Sequence, residues 1–316
     1  MRGRMDRLAA HTEMFVNRCR KTHARLAPRF RQEQVEVWRL YDRDIPEIRL
    51  VVDVVGDALV VGEYERRQTI PGEREALGAA LAAALGVEPG RVFGRARRTR
   101  PAEGARYGRL AQESVRAVVR EGALRFHVNL TDYLDIGLFA DHRLTRRAVQ
   151  AESAGRRVLN LFCYTGSFTA YAAAGGAAST TSVDGNPRYL EWARDNLELN
   201  GLFGPAHSGV TSDVRPFLAR AAQAGQRWDL IVLDPPSFSE VKGMVPFEVQ
   251  ADHRHLIERC LAVLAPGGVV WFSTNHQRFE PDLDGLPVAA VEERTAALLP
   301  PDFAGRAPHR VWRIQA

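Results

Sequence analysis

The chain has 316 residues, enough for one large domain or two medium ones, and its 45% hydrophobic and 26% charged residues are ordinary for a soluble globular protein. No apolar run approaches the roughly 18 residues that a membrane helix needs, and the N-terminus lacks the apolar core of a signal peptide, so we expect a cytoplasmic protein. The three cysteines lie far apart, which predicts neither a disulfide framework nor a metal cluster.

The net charge of +5 is concentrated in two segments. Residues 2–31 carry nine Arg or Lys against two acids, and residues 91–109 carry seven arginines against one acid. A solvated helix face and an exposed loop would explain both segments. A phosphate-rich partner is the more specific interpretation, because clustered cations are the electrostatic footprint of nucleic-acid binding.

The first half of the chain alternates helices with short strands. Apolar residues Leu8, Met14, Phe15 and Cys19 predict one buried stripe on a basic helix over 8–30. Strands are predicted over 36–42, 48–56 and 58–65, a helix from residue 73, two strands within 114–130, and a helix within 138–153. We therefore predict a basic N-terminal helix (1–34) and a small α+β RNA-binding or substrate domain (35–128).

From about residue 155 a regular strand–turn–helix rhythm begins. Strands are predicted at 156–162, 179–184, 228–234, 267–274 and 309–316, with helical segments between the first four. This alternation predicts an α/β domain over 129–316, with a doubly wound, mostly parallel sheet. Ligands bind outside the carboxyl ends of the strands in such sheets, so the residues that end strands are the candidate site.

Polar residues stand at these strand ends. Asn160 precedes the loop "FCYTGSFT", Asp184 and Asp234 end strands, and Asp213 follows between them. The three acids are 29 and 21 residues apart, about one strand–helix unit each, so we expect them to face one crevice. A lone Asp after a strand is more often a helix N-cap, and only the ordered set favours a cofactor site.

The glycine content of the first loop separates two cofactor classes. A dinucleotide dehydrogenase needs G-x-G-x-x-G there to admit a pyrophosphate, whereas this loop has only Gly166. An acid at the end of the next strand can still accept hydrogen bonds from the two hydroxyls of a ribose. The combination favours an adenosine ligand without pyrophosphate, and S-adenosylmethionine is the candidate.

The segments "VLNLFCYTGSFTAYAAAGGAASTTSVDGNPRYLEWARDNLELNGL" and "DLIVLDPPSFS" resemble class I methyltransferases of large-subunit ribosomal RNA. "VWRLYDRDIPE", "HVNLTDYLDIGLFADHR" and "FSTNHQRFEPDLDGL" resemble more closely the RlmK family, the guanosine-N7 methyltransferases of 23S rRNA found as the C-terminal part of the fused RlmKL enzyme. The resemblance covers nearly the whole chain and implies a seven-stranded methyltransferase sheet.

The resemblance also implies an S-adenosylmethionine pocket. Asp184 would hold the ribose hydroxyls and Asp213 the adenine amino group. The other implied cofactor residues are Asn160, Phe162, Tyr164, Thr165 and Gly166 in the first loop, and Phe139, Asp141 and Arg143 near the methionine end, with Asp234 at the methyl group. A helix-surface charge is the alternative for Arg143.

The candidate catalytic residues are Asp234, Pro235, Pro236, Phe238 and Asn275. Two prolines fix φ and remove two N–H donors, which stiffens the turn beside the methyl donor. Phe238 offers a face for an extruded base, or else belongs to the core. Methylation of pyrimidine C5 needs a thiolate and is disfavoured, because no cysteine lies in these segments. Guanine N7 and an exocyclic amine both remain open on chemical grounds, and N7 follows from the resemblance.

Residues 1–150 would supply the grip on RNA, while Asn275, His276 and Arg278 could reach the target base. In the fused enzymes an RNA-binding module precedes this part, so we expect a separate RNA-binding partner to replace it. A non-catalytic factor that binds S-adenosylmethionine and RNA, and a protein methyltransferase, are the alternative classes. An intact Asp-Pro-Pro disfavours the first, and two arginine-dense segments disfavour the second.

Overall fold

The computed structural model describes residues 2–64, 70–97, 114–239 and 246–316. The chain forms two compact units, Met1–Ala140 and Asp141–Ala316. This division lies beyond the predicted boundary at residue 128, and it includes the predicted N-terminal helix in the first unit. Most of the arginine-rich segment 91–109 lies outside the described residues. Among the described helices, none has the length and apolar character needed to cross a membrane.

The first unit combines helices with a small sheet. Its described elements are α1 (Arg2–Gln32), β1 (Val37–Asp42), β2 (Leu50–Val55), β3 (Ala58–Tyr64), α2 (Glu73–Leu85), β4 (Val92–Arg97), β5 (Arg116–Glu121) and β6 (Leu124–Asn129). Strands β1 to β4 form one sheet in chain order, in which only the β3–β4 pair is parallel. A tight turn joins β2 to β3, and Gly56 adopts the left-handed φ of 61° that this turn requires. Strands β5 and β6 form a separate hairpin.

Helix α1 buries an apolar stripe in the core of the first unit. Phe15, Cys19 and Phe30 are fully or almost fully buried there, together with Leu77 of α2. The prediction that Met14 shares this stripe is wrong, since its side chain is 44% exposed. Neighbouring helical residues point about 100° apart, and α1 turns Phe15 and Val16 towards the core, which leaves Met14 on the other side of Phe15 and pointing outwards.

The second unit contains the larger sheet. Its described helices and strands are α3 (Arg143–Ala151), β7 (Arg157–Leu161), α4 (Ser167–Ala174), β8 (Ser179–Asp184), α5 (Pro187–Leu199), β9 (His207–Thr211), α6 (Val214–Gln223), β10 (Trp228–Leu233), β11 (Phe238–Ser239), β12 (Phe247–Glu248), α7 (Val249–Leu261), β13 (Leu264–Thr274), β14 (Ala290–Glu293) and β15 (Arg310–Gln315). Seven strands pair in the order β14-β15-β13-β10-β7-β8-β9. Strands β7 to β10 and β13 are parallel, and β15 is antiparallel to both of its neighbours.

Alternating residues of the central strands pack on opposite faces of this sheet. In β10, Leu230 and Val232 contact the layer that contains α3 and α4, whereas Ile231 and Leu233 contact the layer that contains α6 and α7. Because side chains alternate along a strand, a continuous apolar run is what a sheet with helices on both faces requires. The predicted doubly wound, mostly parallel seven-stranded sheet is confirmed, and so is an α+β unit before it.

Candidate functional site

The topological switch point lies between the neighbouring strands β7 and β10, from which the chain winds in opposite directions. The segments that follow these strands begin at Phe162 and Asp234. Asp184 ends β8, the other neighbour of β7. These predicted residues therefore lie at the carboxyl edge of adjacent strands, where open α/β sheets bind their ligands.

The loop between β7 and α4 has a strained backbone. Phe162, Tyr164 and Gly166 adopt left-handed φ angles of 55°, 49° and 71°. For a residue with a side chain this conformation costs roughly 1–2 kcal/mol, and such strain concentrates at functional sites. The backbone N–H of Tyr164 donates to Oδ2 of Asp184 at 3.0 Å, which joins the loop to the end of β8.

Gly166 lets this loop approach α5 closely. A Cβ at this position would lie 2.5 Å from Cβ of Ala193. On the same helix, the amide of Asn196 donates to the carbonyl of Thr165 at 2.8 Å. The N-cap residue of α4, which starts at Ser167, is Gly166, and it makes no side-chain hydrogen bond to the first turn. Backbone N–H groups at such a helix start are suited to an anionic ligand group.

The carboxylate of Asp184 is bound by backbone groups. Its Oδ2 accepts from Tyr164, and its Oδ1 accepts from the N–H of Asn186 at 2.9 Å. Burial raises the pKa of Asp184, and these N–H donors act in the opposite direction. A carboxylate oxygen can accept more than one hydrogen bond, so both oxygens keep acceptor capacity for a pair of hydroxyls.

Asp213 is engaged by the helix that it precedes. Its Oδ1 accepts from the N–H of Arg215 at 2.9 Å, and its Oδ2 pairs with the Arg215 guanidinium at 2.9 Å. It is therefore the N-cap of α6, which was the ordinary alternative for a strand-end Asp. Its role towards adenine stays a prediction.

Asp234 is held from two directions within the second unit. The hydroxyl of Ser273 donates to Oδ1 at 2.6 Å, and Nε2 of His142 lies 3.6 Å from Oδ2. Oδ2 makes no hydrogen bond to the described part of the chain. Pro235 is buried, and neither it nor Pro236 has an N–H to offer. The Asp234 side chain keeps partial exposure, so one oxygen remains available to a ligand.

A second contact joins the same two segments. The hydroxyl of Ser237 donates to Oδ1 of Asn275 at 2.6 Å. The Phe238 side chain is 47% exposed, which contradicts the alternative that it is a core residue. His276 is half-buried and Arg278 is exposed, with a left-handed φ of 61°. The segment after β13 therefore presents Asn275 and Arg278 at the surface.

A histidine pair adjoins Asp234, and sequence reasoning missed it. The His142 and His309 rings stack with centroids 3.8 Å apart and planes 17° apart. Nδ1 of His309 lies 2.9 Å from Oδ2 of Asp141. Burial and the neighbouring His309 lower the pKa of His142 to about 4, against the influence of Asp234 and Asp141. The motif "ADHR" contained the signal for His142, but nothing along the chain joins it to His309.

The ligand atoms of Asp141, His142 and His309 lie within 4.8 Å of one another, as in a metal site. Their ring geometry does not suit one ion. A metal lies near the plane of each imidazole that binds it, about 2 Å from the nitrogen, and nearly parallel rings 3.8 Å apart share no such point. The cluster is better described as a stacked histidine pair beside Asp234, in which His309 is held by Asp141.

The structure describes the surroundings of three other predicted cofactor residues. The amide of Asn160 is buried and donates to Oγ1 of Thr169 at 2.9 Å, inside the unit. Arg143 is 1% exposed and pairs with the buried Asp302 at 2.6 Å, so the alternative of a helix-surface charge is wrong. Phe139 belongs to the first unit. A direct contact of these three side chains with the cofactor stays a prediction.

The comparison with protein families gives a match over most of the chain. The family model described as S-adenosylmethionine-dependent methyltransferase matches residues 46–297. The crystal structure of SMU.776, solved in complex with SAH, superposes with a TM-score of 0.80 at 24% identity, covering 96% of this chain and 82% of that one. At this identity the likeness supports the fold alone.

Curated relatives extend over almost the whole chain. The ribosomal RNA large subunit methyltransferase K/L of Pseudomonas putida (strain GB-1) is 45% identical over 98% of this chain. The protein of the same name from Pseudomonas aeruginosa (strain PAO1) is 48% identical over 98%. The chain spans 43% of the length of each of these relatives. The resemblance to RlmKL-type methyltransferases is confirmed; correspondence to their C-terminal part stays a prediction.

Proposed function

Because the chain belongs to the family of S-adenosylmethionine-dependent methyltransferases, we propose that it methylates large-subunit ribosomal RNA at N7 of a guanosine. Its cofactor is S-adenosylmethionine. The observation that carries the proposal is the carboxylate of Asp234, which stands at the switch point with Oδ2 free of hydrogen bonds to the described chain. The ribosomal substrate is supported by the names of the relatives at 45% and 48% identity.

The cofactor fits the residues around the first loop. Asp184 keeps acceptor capacity for the ribose hydroxyls, and Gly166 leaves the loop close against α5. The uncapped first turn of α4 suits the carboxylate of a methionine moiety. When bound, S-adenosylmethionine supplies an electrophilic methyl group on its sulfonium.

The chain's own task is then to orient the acceptor atom. An in-line displacement needs that atom about 3 Å from the methyl carbon, along the C–S axis. Asp234 would hold the edge of the base, and the buried Pro235 would keep the turn rigid. The exposed ring of Phe238 would stack on an extruded base. N7 of guanine carries a lone pair and no proton, so its methylation needs no general base.

The cysteines support a nitrogen acceptor. Methyl transfer to pyrimidine C5 requires a reactive thiolate. Cys19, Cys163 and Cys260 are all buried, and burial raises the pKa of each thiol. An exocyclic amine is the second candidate acceptor, because Oδ2 of Asp234 can accept an N–H from it.

Helix α1 would supply part of the grip on RNA. Its exposed cations Arg7, Arg20, Lys21, Arg25 and Arg31 form no ion pair within the described residues. Arg18 and Arg29, by contrast, pair with Asp44 and Glu33. When such cations bind RNA phosphates, they displace the counterions that surround the RNA. RNA binding should therefore weaken steeply as the salt concentration rises. A separate RNA-binding partner for this chain remains part of the proposal.

The first test combines tritiated S-adenosylmethionine with protein-free 23S rRNA and nucleoside analysis of the product. We expect labelled 7-methylguanosine from the wild type. Asp234→Asn should lower turnover roughly 10²–10³-fold, the usual effect of removing one oriented electrostatic group. Asp284→Asn makes the same change at an exposed carboxylate without a hydrogen bond in the described chain, and should match the wild type.

Measuring S-adenosylmethionine binding by calorimetry tests the cofactor separately from the RNA substrate. Label in an adenosine or in the amine of guanosine would keep the enzyme class and refute N7. Cofactor binding without label in RNA would refute protein-free ribosomal RNA as the substrate. Equal turnover of Asp234→Asn and wild type would remove Asp234 from the mechanism.

A further inference from the structure

Two reciprocal hydrogen bonds join the segment after β10 to the end of β13. Ser273 donates to Asp234, and Ser237 donates to Asn275, each at 2.6 Å. The strands are adjacent and parallel, with Leu233 opposite Phe272, so the residues that follow them meet side by side. Both contacts therefore hold the part of the site where the base that accepts the methyl group would bind.

The second contact determines which end of the Asn275 amide, the oxygen or the nitrogen, is available to a ligand. An amide oxygen can only accept a hydrogen bond, so the Ser237 hydroxyl is the donor in its 2.6 Å contact with Oδ1. With Oδ1 engaged, the exposed side chain presents Nδ2, whose two N–H groups make no hydrogen bond within the described residues. Asn275 then offers donors and not acceptors.

Guanine and adenine differ in the group next to N7. Guanine carries O6, a hydrogen-bond acceptor, and adenine carries an N6 amino group, a donor. A fixed N–H donor would accept O6 as a partner while N7 stays free for the methyl group. The same donor would face an adenine amino group without any bond to make, and an unmatched polar pair of this kind gives strong discrimination.

We propose that Ser237 is a specificity-determining residue that orients the amide of Asn275, so that this site selects guanine over adenine. The inference rests on the proposed function, because it assumes a purine acceptor at Asp234. It adds to that function Ser237, a residue that contacts none of the reacting atoms. Asn275 recognises the base, and Ser237 acts through Asn275.

The test compares Ser237→Ala, Ser237→Thr and Asn275→Asp with the wild type in the tritium assay on protein-free 23S rRNA. Ser237→Ala frees the amide to turn, so kcat/KM for guanosine should fall about tenfold and labelled methyladenosine should appear. Ser237→Thr keeps the hydroxyl and should restore both values. Asn275→Asp replaces the donor with an acceptor and should lose more guanosine activity than Ser237→Ala. Ser208→Ala, an exposed serine on β9, is the matched control.

Cofactor binding by calorimetry should be unchanged in all four variants, which separates this effect from a damaged cofactor pocket. If Ser237→Ala keeps the wild-type rate and product ratio, Ser237 does not orient Asn275 and the inference is wrong. If the wild type labels an adenosine amine, guanine selection fails together with N7 methylation.

A readout independent of catalysis covers the case in which RNA is not the substrate. In ¹⁵N-labelled protein, the side-chain amide signals of Asn275 are assigned by their loss in Asn275→Asp. An oriented amide should give two well-separated proton signals that broaden or converge in Ser237→Ala and recover in Ser237→Thr. Identical amide signals in the wild type and Ser237→Ala would overturn the orientation itself, whatever the substrate.

Discussion

The replacement Gly166→Ala tests the cofactor loop most directly. Two separate costs apply at this residue. Its φ of 71° lies in the left-handed region, which costs a residue with a Cβ roughly 1–2 kcal/mol. The added Cβ would also lie 2.5 Å from Cβ of Ala193 and 3.0 Å from its Cα, and overpacking of this kind costs about 1–3 kcal/mol. We expect a total loss of about 2–5 kcal/mol in the free energy of unfolding.

Three further variants separate these costs. Gly155 has a φ of 70° with no atom within 4 Å of the position of its absent Cβ, so Gly155→Ala measures the backbone cost alone. Ala193→Gly removes the side chain that the new methyl group meets, at a helix-propensity cost of about 1 kcal/mol. In the double variant Gly166→Ala/Ala193→Gly, the loss should be smaller than the sum of the single losses, because the shorter of the two close contacts is removed.

Urea unfolding of the wild type and the four variants measures these differences, and calorimetry with S-adenosylmethionine reports on the loop. Gly166→Ala should also weaken cofactor binding, since the displaced loop carries the N–H that binds Asp184. If Gly166→Ala and Gly155→Ala lose the same free energy within about 0.5 kcal/mol, and the double variant is additive, the close approach to Ala193 has no energetic weight.

Two other predictions concern buried charges. Neutral His142, with its pKa lowered to about 4, stabilises the fold at pH above 6.5; this stability is lost as the pH falls from 6.5 to 4, because the unfolded chain takes up the proton first. Urea unfolding at pH 7 and pH 4 should show a loss of about 3 kcal/mol that is absent in His142→Gln, and equal losses in both proteins would contradict the assignment. Arg143→Met should cost about 3–5 kcal/mol by leaving the charge of Asp302 buried without this guanidinium, and Arg143→Met/Asp302→Leu should recover most of it in the same assay.

The sheet could be predicted from the sequence because strands and helices alternate regularly and the central strand β10 contains a continuous apolar run. Leu230–Leu233 is such a run, and the structure covers both of its faces. Edge strands carry no such signal. Strand β14 (Ala290–Glu293) is mostly exposed and half acidic, and neither its presence nor the antiparallel direction of β15 follows from periodicity.

The candidate site was predictable only in part, because side-chain partners depend on tertiary contacts. The positions of Asp184 and Asp234 follow from strand ends. The burial of Arg143 against Asp302, 159 residues away, does not, and neither does the stack of His142 on His309. Both contacts join segments that nothing in the local sequence relates.

The three strand-end acids look alike in the sequence but differ in which donors follow them. The residue two positions later donates its N–H to the carboxylate of Asp184 (Asn186) and of Asp213 (Arg215). Two positions after Asp234 stands Pro236, which has no N–H, so the local turn that engages the other two acids cannot form. The double proline therefore does more than stiffen the turn. It keeps one carboxylate out of the backbone's own hydrogen bonding, so that Ser273 can orient one oxygen while the other stays open to an acceptor.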